Sequence, residues 1–278
     1  MWTSLALMTA LSWTPAQANQ LELKNARFTY GILGQERKES TFIPGDMVVL
    51  AFDIEGLKTA DDGSATYSMS MKLFHNKEAK PVLEKVPQRM TVVNTLGGNR
   101  LPSFALTNLF TDAETGDYTM SIVVEDVLAK VSAKMERTFK VKPLEFGIVR
   151  VGFVYSQLNE EQAGGPPHLA PPLAVPGQNL MLNFSVVGFK MAGAKEQPDV
   201  AVTMVVEDEA GKPVLKKPFS GKATEIDDEL KKLKIIPFQV PVQINRSGKF
   251  KIVITVEDKH PGGKSISQSL DLRAVEVN

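Results

Sequence analysis

The sequence predicts an all-β protein built as two tandem β-sandwich domains that arose by internal duplication. Three observations carry this reading. The stretch Gly116-Asp-Tyr-Thr-Met-Ser-Ile-Val-Val-Glu-Asp126 returns 132 residues later as Gly248-Lys-Phe-Lys-Ile-Val-Ile-Thr-Val-Glu-Asp258. Each copy reads as a glycine turn, an aromatic, a strand and an acidic exit. At the same offset Pro44-Gly45 recurs as Pro176-Gly177, Phe52 as Phe184, Gly56 as Gly188, Lys58 as Lys190, and Lys80-Pro-Val-Leu83 as Lys212-Pro-Val-Leu215. Apolar and polar residues alternate with period two between Gly- and Pro-rich turns, the pattern of short half-buried strands. The expected division is a signal peptide over 1–18, a first module over 19–143 and a second over 144–278.

In the first module Leu21, Leu23, Ala26, Phe28 and Tyr30 alternate imperfectly, as in an edge strand. Gly31, Gly34 and the charged run from Glu36 to Glu39 form a loop. Pro44-Gly45 is a turn, because proline presets φ at one central position and glycine accepts positive φ at the next. Met47 to Leu57 follows as a strand with Val48, Leu50, Phe52 and Ile54 on one face, and Gly56 marks a bulge or its end. Tyr67, Met69, Met71 and Leu73 alternate with polar partners in the next strand. Asn76 to Lys80 turns the chain and Pro81 to Val86 returns it; Gln88 to Arg100 carries Gly97-Gly98 but no clear period. Leu101 to Leu109, the anchor strand Gly116 to Asp126, and Val131 to Lys142 complete about seven strands, a sandwich's worth.

The second module starts after only Pro143 to Gly147, which implies restricted motion between the two. Ile148 to Tyr155 is its first strand. Gln157 to Ala174 is an inserted surface loop with polyproline character. Leu180 to Val187, Val200 to Glu207, Phe238 to Ile244, the second anchor strand and Ile266 to Val277 match the first module, and Asp208 to Lys212 is a shorter turn than its counterpart. Thr224 to Lys234 breaks the rhythm. A cap at Thr224, acids early and lysines late suit a short helix, with Ile226, Leu230 and Leu233 on one face and the charges solvated.

Basic and acidic residues cancel at 32 each, so the uniform charge that nucleic acid or an anionic bilayer would attract is absent. The apolar run from Leu5 to Trp13, followed by Ala16-Gln17-Ala18, reads as a secretory signal cut after Ala18, although no Lys or Arg precedes the run. The run is too short to span a bilayer. Export to the periplasm, cell surface or medium is therefore expected. With no cysteine in the chain, disulfides, thiolate metal sites and a Cys nucleophile are excluded.

No phosphate loop, nucleophile elbow or HExxH helix is present. His75, His168 and His260 have no ligand spacing and read as solvated loop residues. The matched acidic pairs Glu125/Asp126 and Glu257/Asp258 are the weak metal candidates, since a loop of carboxylates could hold Ca²⁺; the favoured reading is an Asp that closes a turn at a strand exit. Catalytic and cofactor-binding residues are none, and no cofactor is expected. Asn183-Phe-Ser and Asn245-Arg-Ser match the short glycosylation sequon, a motif that chance supplies often.

Gly-x-Tyr at the start of the anchor strand, followed by Val-x-Asp and a closing strand, resembles bacterial immunoglobulin-like and fibronectin type III-like modules. The resemblance covers 20–142 and 148–278 and implies secreted, non-catalytic modules. It gives Tyr118 a tyrosine-corner role, whereas Phe250 lacks the hydroxyl. The expected function is a non-catalytic binding or structural module at the envelope or outside the cell, with an unknown macromolecular partner, a protein in preference to a glycan. A carbohydrate-binding module is an alternative, weakened because both tryptophans, Trp2 and Trp13, lie in the signal. A hydrolase with a dispersed carboxylate site is another.

Overall fold

The computed structural model describes residues 20–156 and 168–276; the expected signal segment lies outside them. The first half contains β1 (Glu22–Thr29), β2 (Thr41–Phe42), β3 (Met47–Glu55), β4 (Ser64–His75), β5 (Leu83–Val93), β6 (Arg100–Asn108), β7 (Gly116–Asp126) and β8 (Val131–Val141). The second contains β9 (Gly147–Tyr155), β10 (Leu169–Ala170), β11 (Leu173–Ala174), β12 (Asn179–Val187), β13 (Val200–Glu207), β14 (Phe219–Ala223), α1 (Asp228–Leu233), β15 (Ile235–Gln243), β16 (Gly248–Asp258) and β17 (Ser265–Ala274).

Strand order is the same in both halves. One sheet of the first runs β1-β3-β6, and of the second β9-β12-β15 with β10 added at its edge. The opposing sheets run β2-β8-β7-β4-β5 and β11-β17-β16-β13-β14. The short strands β2 and β11 each pair parallel with the last strand of their half, while the long pairs are antiparallel. Even the irregularities repeat. In β1 the register slips between Lys24 and Arg27, and in β9 between Gly152 and Val149, opposite Phe52 and Phe184. The bulged residues Asn25 and Arg150 carry φ of 52° and 54°.

Each half has its own core, drawn from both of its sheets. Val48, Leu50, Phe52 and Ile54 of β3 face Met120, Ile122 and Val124 of β7, and Leu180, Leu182, Phe184 and Val186 of β12 face Ile252, Ile254 and Val256 of β16. Alternation in the sequence thus maps onto inward and outward faces. β5 is the strand that the alternation fails to announce. It runs mostly exposed along the sheet edge, and Pro87 sits at a bulge between the Gln88–Met69 and Lys85–Met71 pairs.

Two expectations need correction here. The helix begins later than Thr224: Asp227 is the cap, its side chain accepting from the Leu230 amide at 2.8 Å. Ile226 is held beforehand by Gln197, whose side chain accepts from the Ile226 amide and donates to its carbonyl. The inserted loop also contains structure, because Leu169–Ala170 pairs with β9 and Leu173–Ala174 with β17; its residues 157–167 lie outside the described ones. No helix among the described residues is long and apolar enough to cross a membrane.

Candidate functional site

The acidic exits organise loops. Asp126 is fully buried; one carboxylate oxygen accepts the Leu128 and Ala129 amides at 2.9 Å each, and the other accepts the Lys58 amide at 2.6 Å. Asp258 repeats this with the Lys190 amide at 2.9 Å and the His260 amide at 3.1 Å. These bonds explain why Lys58/Lys190 recur with the acids: the aspartate ties the loop after one sheet's strand to the end of the opposing sheet's. Glu125 is exposed beside Asp126, and Glu257 pairs with Lys259. Among the described residues no three acidic or imidazole side chains converge in a metal-holding group.

The histidines divide. His168 is exposed, and His260 sits in the Asp258 turn with Nε2 at 3.2 Å from the Gln197 carbonyl. His75, expected in a solvated loop, is instead buried at the end of β4, directly opposite Tyr118. Its ring stacks on Tyr118 at 4.5 Å between centroids, and Phe139 stacks on the other side at 5.4 Å. The Tyr118 hydroxyl donates to the Glu114 carbonyl at 2.9 Å, the tyrosine-corner bond. Burial pushes this phenol's pKa up, and the Glu114 and Glu78 carboxylates add to the effect. Phe250, in the same place in the second half, is only half-buried, and the Arg246 guanidinium lies 4.8 Å above its ring.

The junction between the halves is the most tightly built polar site. Asp46 is 3% exposed at the tip of the first sandwich. Its carboxylate accepts from Arg37 Nη2 at 2.7 Å, the Met47 amide at 2.8 Å and the amide of Arg150, in the second sandwich, at 2.9 Å. Arg150 Nε donates in turn to the Gly45 carbonyl at 2.8 Å. The Arg37 guanidinium is held between the rings of Tyr30 and Phe42, 4.4 Å from each centroid. Around this hub Val149, Val187 and Ile235 form a buried cluster with Ile43 and Leu230. Thr111 Oγ1 donates to the Leu233 carbonyl at 3.1 Å, and the Asp271 amide to Gln35 Oε1 at 2.8 Å. Glycine is required at Gly188: a Cβ there would lie 2.3 Å from the Glu145 carbonyl oxygen, and φ is +66°.

The opposite end of the first sandwich is polar at the matching positions. Where the second places Val149, Val187 and Ile235, the first places Lys24, Glu55 and Arg100, engaged in pairs such as Lys24–Glu55 at 2.9 Å and Arg100–Asp53 at 3.0 Å. Only the end that meets another sandwich is apolar.

Two hollows accompany these features. A cleft of about 250 Å³ lies against the junction, with Arg37, Asp46, Lys142, Glu145 and Gln268 on its walls. Two carboxylates therefore share it, but the Asp46 oxygens are taken by Arg37 and backbone amides, the bonding of a structural group. A second, apolar groove of about 350 Å³ opens at the far tip of the second sandwich, beside Phe250. The sequence did not announce either: the cleft needs residues far apart in the chain, and the groove arises from missing rather than present residues.

No protein-family model matches the chain, and no curated protein matches it. Solved structures resemble it distantly. A transglutaminase of red sea bream is 11% identical over 94% of this chain and 32% of its own, with a TM-score of 0.28. Dimeric latent PorU from Porphyromonas gingivalis is 10% identical over 96% of this chain and 21% of its own, with a TM-score of 0.33. The C-terminal domain of the AgI/II polypeptide BspA from Streptococcus agalactiae is 9% identical over 91% of this chain and 100% of its own, with a TM-score of 0.29. The chain thus spans 32% and 21% of the first two structures.

Proposed function

We propose that this chain is a non-catalytic, exported module of immunoglobulin-like or fibronectin type III-like build, whose two sandwiches act as one rigid body that binds or braces another macromolecule. The observation that carries this reading is the junction at Asp46, where one buried carboxylate bonds both halves and a buried apolar cluster surrounds it. A junction built this way serves fixed spacing and orientation, the needs of a spacer or a presenting scaffold. A protein partner is favoured over a glycan, because Tyr67 and Tyr118 are buried and offer no stacking face. Export is tested by fractionating the source cells and sequencing the protein's N-terminus. A chain that begins at Asn19 outside the cytoplasm supports the proposal. An intact Met1 form in the cytoplasm overturns the compartment, and robust turnover lost on substitution of one residue overturns the non-catalytic reading.

A further inference from the structure

The two copies differ most where their anchor strands begin. Leu109 and Ile244 are equivalent, since each carbonyl accepts the amide of the turn glycine, Gly45 or Gly177. Six residues, 110–115, then lead to Gly116, but only three, 245–247, lead to Gly248. In the first copy the longer loop supplies the Glu114 carbonyl to Tyr118 and packs Ala113 on the core. In the second it is too short to cover Phe250. The neighbouring edge strand is curtailed as well: β14 has 5 residues where β5 has 11. The space left is the groove of about 350 Å³, floored by Met204, Val206, Val242 and Leu272 between the two sheets.

Its rim is exposed and apolar, with Leu215 50% and Phe219 42% accessible. Lys216, Lys217 and Arg246 stand beside that rim, and none has a carboxylate within ion-pairing distance among the described residues, unlike nearby Lys249, which pairs with Glu209. The adjoining sheet edge is open to pairing. β5, β6 and β15 carry Pro87, Pro102 and Pro237/Pro241, which remove backbone donors, whereas β14 is an edge strand with no proline. Gly221 in its middle lies opposite Val202 and has open space where a Cβ would be, so an incoming side chain meets no obstacle.

We infer that this groove binds an extended polypeptide segment of a partner protein, running along β14 with apolar side chains in the groove and carboxylates against Lys216, Lys217 and Arg246. Backbone pairing at a free edge with alternate side chains in a pocket is a recurrent mode of peptide recognition, and the cation rim selects an acidic flank. The inference rests on the proposed binding role and names the partner's chemistry.

The test is fluorescence anisotropy on the full chain with labelled synthetic peptides in which Leu and Val alternate with Ser between pairs of Glu, beside versions flanked by Lys and versions with Ser replacing Leu and Val. The Glu-flanked apolar peptides should bind saturably. Leu215→Glu should weaken them by about tenfold or more, as loss of an interface anchor does. Reversing Lys216, Lys217 and Arg246 to Glu should shift preference to the Lys-flanked series. These positions are exposed, so an unchanged melting curve confirms that each variant folds. Absence of saturable binding, binding indifferent to Leu215→Glu, or uptake of oleate with no uptake of peptide overturns the inference. An exported, inert protein that ignores the peptides refutes the groove alone; cytoplasmic retention or turnover refutes the role on which it rests.

Discussion

Asp46 and Tyr118 carry the strongest predictions at the scale of single residues. Removing one partner of a buried ion pair leaves the other charge uncompensated, so Asp46→Ala should cost about 3–5 kcal/mol in denaturant melts of the full chain. Gln178, its counterpart in the second sandwich, accepts only the local Val175 amide at 2.9 Å, so Gln178→Ala should cost far less. Tyr118→Phe loses one buried hydrogen bond, worth about 1 kcal/mol, while Phe250→Tyr should gain little, because Arg246 covers that ring and no carbonyl has been placed for a hydroxyl. The phenol also has a pH signature. Its folded pKa is raised, as is that of Tyr67, chiefly by burial. The folded chain therefore keeps these protons longer than the unfolded one. Stability is fully present below the unfolded tyrosine's ordinary value of about 10 and is lost as pH rises toward the raised folded values. Melts repeated through this window should show a smaller alkaline loss for Tyr118→Phe than for the natural chain; an identical loss would place Tyr118 in solvent.

At the scale of elements, alternation made most strands legible, since a half-buried strand writes its inward face at every second residue. β3, β4, β7, β12 and β16 all follow it. It failed for β5, which lies along a sheet edge with little inward face of its own and is interrupted by Pro87. It also misplaced the start of α1, because Thr224 and Asp227 are both competent caps and only the tertiary grip of Gln197 on Ile226 selects the second. The edge prolines give a test. Pro237 and Pro241 pair with Ser185 and Met181 on one side of β15 and face solvent on the other, where a residue bearing an N–H would offer a free donor. Replacing both with Thr should produce concentration-dependent association in sedimentation velocity while the melting curve changes little. A variant that stays monomeric would show that other features of β15 suffice to protect its edge.

At the scale of the whole molecule, duplication was visible in the sequence because the shared residues serve shared local tasks: Lys58/Lys190 meet Asp126/Asp258, and Pro-Gly turns recur. What joins the copies was not visible, because joining requires the copies to differ. Asp46 stands against Gln178, and Val149, Val187 and Ile235 against Lys24, Glu55 and Arg100, so each end is matched to its surroundings: apolar where it is covered, charged where it meets water. The central consequence is a fixed relation between the two sandwiches. The chain contains no cysteine, so cysteines introduced at the exposed positions Gln88, in β5, and Gln239, in β15, take spin labels at those sites alone. Pulsed electron–electron resonance on that pair should give a single narrow distance distribution that broadens in Asp46→Ala. A broad distribution in the natural background, unchanged by Asp46→Ala, would contradict the locked junction and leave two sandwiches that move independently.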